Sequence, residues 1–104
     1  MAINITSANF ESEVLKSEGL TILKFGAAWC GPCKKLDPII QEIANDNDGL
    51  KVCYIDIDSE REIPVNYGVL SVPTTLFFKD GKVLDTIVGL VPKNKLQKVI
   101  DKNK

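Results

Sequence analysis

Trp29-Cys30-Gly31-Pro32-Cys33 is the stretch of this 104-residue chain that most restricts what it can fold into. Two cysteines stand three residues apart with Gly-Pro between them. An apolar run from Thr21 to Trp29 leads in, and a helical pattern leads out. If a helix starts near Cys30, the two sulfurs lie at i and i+3 on one face of its first turn. Little backbone movement then separates an open dithiol from a disulfide, whose Cβ atoms favour a separation of about 3.8 Å. Pro32 suits a first helical turn, where its missing N–H would have found no partner anyway. The unpaired N–H groups and positive dipole end of that helix would stabilise a thiolate at Cys30. The spelling predicts a dithiol that opens and closes easily, with one activated sulfur.

The rest of the composition removes competing chemistries. The chain has no histidine and only three cysteines, which excludes mixed Cys/His zinc sites, an imidazole acid–base catalyst and a four-cysteine zinc site within one chain. No metal site is therefore expected within one chain, and metal binding is left only to a dimer. An odd cysteine count with one close pair favours a redox or metal role over a framework of structural disulfides. With a net charge of −1, nothing points to a nucleic-acid partner. The opening residues lack the basic and apolar regions of a signal peptide, and no apolar run approaches the ~18 residues of a membrane span. The expected location is the cytoplasm, with no membrane partner.

Hydrophobic periodicity organises the chain as one domain, residues 1–104. Ile3 and Ile5 suggest a short strand. Thr6 or Ser7 can cap a helix carrying Phe10, Val14 and Leu15, which Gly19 ends. Thr21 to Gly26 reads as a strand running into the dithiol. From Pro32, Leu36, Ile39, Ile40, Ile43 and Ala44 mark one face of a second helix, with Pro38 expected to kink it. Lys51 to Ile57 reads as a buried strand. Asp58 or Ser59 can cap a short third helix reaching about Tyr67. Asp80-Gly81 is a strong two-residue hairpin signal, so Thr74–Lys79 and Lys82–Val88 should pair antiparallel. A last helix starts near Pro92, with Leu96, Val99 and Ile100 facing inward. The order β-α-β-α-β-α-β-β-α predicts an α/β fold, a five-stranded mixed sheet flanked by four helices. Helix-separated strands are expected to be parallel, with an antiparallel edge from the hairpin. Cys53, mid-strand between Val52 and Tyr54, reads as a small packing residue.

Over essentially its whole length the sequence resembles the thioredoxin family. The match is carried by Phe25, Ala27, Trp29-Cys30-Gly31-Pro32-Cys33-Lys34, Pro38, Asp58, Tyr67-Gly68-Val69, Val72-Pro73-Thr74, Phe78, Gly81 and Gly89. The resemblance implies the thioredoxin fold and a general thiol–disulfide oxidoreductase. Cys30, the more exposed sulfur, would be the nucleophile that attacks a substrate disulfide. Cys33 would be the resolving thiol that displaces the substrate and closes the Cys30–Cys33 disulfide. It also implies no cofactor beyond that redox-active disulfide, recycling by a separate thioredoxin reductase, protein disulfides as substrates, and a monomer. Trp29, Gly31, Pro32, Val72, Pro73 and Gly89 match the family's substrate groove. Pro73 would be cis and face the dithiol, leaving the Val72 backbone free to pair with an extended substrate. Lys34 and Lys35 read as a solvated helix face that can add positive potential near the dithiol.

The main departure is Lys24. The family normally has a buried acid at this strand position, beneath the second cysteine, where it helps move a proton to or from that sulfur. Here the sign is reversed. Tyr54 stands where the family often has a lysine or glutamate, and Gly26 replaces a commonly aromatic residue. An unpaired buried ammonium costs several kcal/mol, so a Lys24–Asp56 ion pair or a Lys24–Tyr54 hydrogen bond is expected. Lys24 would then stabilise a Cys33 thiolate electrostatically or take part in proton transfer; the alternative is a stem that snorkels to solvent. Two other functions compete with a reductase. One is an oxidase or isomerase of the same fold, whose motif usually carries a histidine between the cysteines. The other is a non-catalytic subunit of a larger assembly.

Overall fold

The strand that leads into the dithiol occupies the middle of the sheet. The computed structural model describes residues 2–104, and five strands appear in the spatial order β1-β3-β2-β4-β5. They are β1 (Ile3–Asn4), β2 (Leu20–Gly26), β3 (Lys51–Asp56), β4 (Thr74–Lys79) and β5 (Lys82–Val88). Every residue of β2 is buried, as expected of a strand with neighbours on both sides and helices on both faces. Its side chains alternate between two cores. Leu20 and Ile22 join Leu36, Ile40, Ile43, Phe77, Leu96 and Ile100, on the face covered by α1 (Gly31–Asp46) and α3 (Lys93–Lys102). Leu23 and Phe25 join Ile5, Val14, Cys53, Ile55 and Phe78 on the other face. There Phe10, Tyr67 and Phe78 pack edge to face, with centroids 5.4–6.3 Å apart.

Among the described residues there are five strands and four helical segments, and the closing hairpin is antiparallel as its turn residues require. Asp80 and Gly81 both take positive φ, 53° and 79°, the backbone that a two-residue hairpin turn needs. Three expectations need correction. β4 follows a helix yet pairs antiparallel with β2, so only β1, β3 and β2 form the parallel part of the sheet. The segment carrying Val14 is a π-helical turn, Glu11–Leu15, anchored upstream where the Thr6 carbonyl accepts the N–H groups of Asn9 and Phe10. The third helix, α2, is only Glu62–Asn66 and has no side-chain cap. The Asp56 carboxylate instead braces the turn before it by accepting the Asp58 N–H at 2.8 Å. α1 runs through Pro38 as one element. Among the described residues no helix is long and apolar enough to cross a membrane.

The topology sets where chemistry can occur. Because β4 runs against β2 and β5 while β5 runs the same way as β2, one end of the sheet collects the ends of β2 and β3, the start of β4 and the end of β5. The dithiol at the start of α1, and Val72-Pro73 and Gly89 in loops, all lie at this end.

Candidate active site

α1 begins at the dithiol. Cys30 is its N-cap, in extended conformation, and Pro32 lies in the first turn as the sequence predicts. The Cys30 Sγ accepts the Cys33 N–H at 3.2 Å, so sulfur fills the place that Ser or Asp oxygen takes in most caps. The cysteines are joined as a disulfide with Cα atoms 5.3 Å apart, inside the ordinary range. A thiolate released at Cys30 would inherit that N–H and the positive end of a 16-residue helix. Neither sulfur-bearing residue is more open than the other: Cys30 is 3% exposed and Cys33 2%. The expectation that Cys30 is the more exposed is not met in the disulfide form, because both pack with Ala27, Ile57 and Val72.

An apolar rim surrounds the pair. Trp29 is 68% exposed and its indole N–H donates to Asp58 Oδ2 at 2.8 Å, which fixes the ring beside the dithiol. Gly31 and Pro32 are exposed, and a Cβ added at Gly31 would meet nothing within 4 Å. The Val72–Pro73 bond is cis. Gly89, at φ +93°, donates its N–H to the Pro73 carbonyl at 2.8 Å and ties the last loop to the proline. Among the described residues no backbone hydrogen bond involves Val72. Leu70, Val88 and Leu90 add exposed apolar surface. Lys34 and Lys35 are both exposed.

Beneath the first turn of α1 lies Lys24, only 2% exposed. It shares the β2 face of Leu20 and Ile22, which points into the core under α1. Its ammonium does not snorkel, and its partners are not the expected ones. Lys24 Nζ pairs with Asp37 Oδ1 and donates to the Cys33 carbonyl at 3.2 Å. Tyr54 offers its ring face, 4.9 Å from Nζ to the centroid, in place of its hydroxyl. Asp56 is engaged in the turn described above. Burial, then Asp56, Asp37 and Asp58, push the Tyr54 phenol above its ordinary pKa. The glycine that replaces an aromatic also has a reason. A Cβ at Gly26 would stand 3.0 Å from Tyr54 Cε1 and 3.3 Å from Lys24 Cε and Nζ, so the position must be small for both side chains to fit.

Asp37 is the site residue the sequence reading missed. A signal was available: it stands four residues after Cys33, one helical turn on along the same side of α1. Cys53 is fully buried and unpaired, as expected of a packing residue. Its thiol is pushed up to about 11, chiefly by burial, with Lys51 opposing and Glu13 adding.

A dithiol–disulfide couple capping a helix, set in an apolar rim, defines a thiol–disulfide exchange domain. The thioredoxin family model matches residues 1–102. Among curated relatives, the thioredoxin of Rickettsia bellii is 47% identical over 104 residues, covering 99% of each chain. That of Pseudomonas aeruginosa is 44% identical over 102 residues, 97% of this chain and 94% of the relative. Thioredoxin 1 of Synechococcus elongatus is 40% identical over 104 residues, 99% of this chain and 97% of the relative. The chain belongs to the thioredoxin family. It is accordingly a protein-disulfide oxidoreductase that works by dithiol exchange through the Cys30–Cys33 couple, with no cofactor beyond that disulfide. The family implies a thioredoxin reductase and disulfide substrates as partners.

Proposed function

We propose that Cys30 is the nucleophile and Cys33 the resolving thiol of one exchange domain spanning residues 1–104. The Cys30 thiolate attacks one sulfur of a substrate disulfide. A Cys30–substrate bond forms, the substrate S–S bond breaks, and one substrate sulfur leaves as thiolate. Cys33, having lost its proton, attacks Cys30 Sγ; the internal disulfide forms and the second substrate sulfur departs and is protonated. Two electrons pass to the substrate, and the reductase returns two. The observation that carries this assignment is the Cys33 N–H donated to Cys30 Sγ at the start of α1, a stabilisation that Cys33 Sγ does not receive among the described residues. Trp29, Gly31, Pro32, Val72, Pro73 and Gly89 form the substrate groove, with the Val72 backbone pairing with an extended chain. Lys24 acts electrostatically on the second sulfur. The protein works as a cytoplasmic monomer in electron transfer to protein disulfides.

The test is reduction of a protein disulfide with dithiothreitol as electron source. The parent is expected to accelerate it, and a Cys30→Ser, Cys33→Ser double variant to give only the background rate. A double variant as fast as the parent refutes the assignment.

A further inference from the structure

The two charges under the dithiol stand in unequal surroundings. Lys24 is 2% exposed, while the side chain of Asp37 is 56% exposed. Water screens the carboxylate far better than the ammonium, so the pair is not electrically neutral as seen from Cys33. Both line a cavity of about 280 Å³ with Ile40, Gln41, Val52 and Tyr54. Through that opening an unanchored Lys24 could swing its head toward water, as long lysine stems readily do. Two contacts hold it in: the Cys33 carbonyl, and Asp37 one turn further along the same helix.

We propose that Asp37 is a positioning residue of the exchange reaction, anchoring the Lys24 ammonium against Cys33 so that a positive charge stands ready when the disulfide opens. The proposal rests on the reading of Cys33 as the resolving thiol. On reduction the S–S bond breaks and two electrons and two protons convert it to two thiols. Cys33 must then release its proton to solvent before it attacks the mixed disulfide. The Lys24 ammonium offsets the charge of the resulting thiolate. The titratable groups facing this ammonium are Asp37 and Cys33 from α1 and Tyr54 from β3. Tyr54 is held as a neutral phenol by burial and by Asp56, Asp37 and Asp58. Across the antiparallel ladder β4 contributes Thr75, which is buried, uncharged and without a hydrogen-bond partner for its hydroxyl among the described residues. Asp37 thus supplies the negative charge in contact with Lys24.

The sign of one effect separates anchoring from simple charge. Deleting a carboxylate near a thiol should, by Coulomb's law alone, favour the thiolate and make the protein less reducing. Deleting an anchor releases the ammonium and does the opposite. The parent, Asp37→Ala, Lys24→Met and the double variant are equilibrated with glutathione redox buffers at pH 8.5. Iodoacetamide labelling of the reduced proteins is followed against pH. Asp37→Ala is expected to be more reducing by about tenfold in the exchange equilibrium, about 30 mV for a two-electron couple. Its labelling profile should move to higher pH. In the Lys24→Met background the same substitution should change neither, and Asp37→Glu should restore parental behaviour. A shift of opposite sign, no shift, or an equal shift without Lys24 overturns the proposal. If Asp37→Ala does not fold, Asp37→Asn is measured in both backgrounds and judged by the same signs. A parent inactive with dithiothreitol undoes the exchange reading itself, whatever Asp37 does.

Discussion

The Lys24–Asp37 pair makes an asymmetric prediction about stability in the oxidised protein, where neither Cys30 nor Cys33 titrates. Removing either member deletes the same charge-assisted hydrogen bond, worth about 1.5–3 kcal/mol. What remains differs. Asp37→Ala leaves an ammonium that is 2% exposed without its counter-ion, and Lys24 must either stay unpaired or rearrange toward the cavity mouth. The net cost is about 1–3 kcal/mol, small enough for a domain of ordinary stability to remain folded. Lys24→Met leaves a carboxylate that is 56% exposed and already solvated. It also abolishes the desolvation penalty of the ammonium, several kcal/mol before compensation, while filling most of the stem's volume. Its net effect lies between neutral and about 2 kcal/mol stabilising. A domain of this size shifts its midpoint by roughly 4–8 °C per kcal/mol. Thermal unfolding followed by circular dichroism should place Asp37→Ala roughly 5–20 °C below the parent and Lys24→Met at or above it. The double variant should match Lys24→Met. If Lys24→Met is the more destabilised of the two single variants, the pair is a structural stabiliser and the reasoning fails.

Three further outcomes follow from other parts of the fold. The Cys53 thiol, raised from 9.0 to about 11 by burial, binds its proton more tightly folded than unfolded. Stability of the oxidised protein should therefore be intact below pH 9 and fall by on the order of 2 kcal/mol between pH 9 and 11. Tyr54 and Tyr67, also raised by burial, add in the same direction above pH 10, and Cys53→Ala should flatten the early part of the loss in urea titrations. Gly81→Ala places a Cβ 3.1 Å from the Leu15 carbonyl at φ +79°; it should cost about 1–3 kcal/mol and leave dithiothreitol-driven activity per folded molecule unchanged. Trp29→Ala, at a residue 68% exposed, should lower kcat/KM for a protein disulfide by about tenfold while the unfolding midpoint stays nearly fixed.

The parts of this molecule that were legible in the sequence are those set by short-range rules. The helix starting at Cys30 follows from Gly-Pro spacing and the apolar stripe after it. The hairpin at Asp80-Gly81 follows from two residues able to take positive φ. The direction of β4 was not legible, because the rule that helix-separated strands run parallel says nothing about a segment as short as α2. The partner of Lys24 was missed for a related reason. Strand alternation relates Lys24 to Tyr54 and Asp56 on the adjacent strand, but the ammonium is met from above by α1. Helical spacing from Cys33, and not sheet register, brings Asp37 to it. Gly26 became intelligible only once Tyr54 and Lys24 were seen to crowd the space above it.

The assignment of roles within the dithiol is tested most directly by trapping the mixed disulfide. Reduced Cys33→Ser and Cys30→Ser variants are each offered a protein disulfide, and the covalent products are counted by mass spectrometry. Cys33→Ser should accumulate a stable adduct through Cys30, because nothing remains to resolve it, while Cys30→Ser should accumulate little. Equal trapping by both variants, or preferential trapping through Cys33, contradicts the claim that the helix N-terminus activates Cys30.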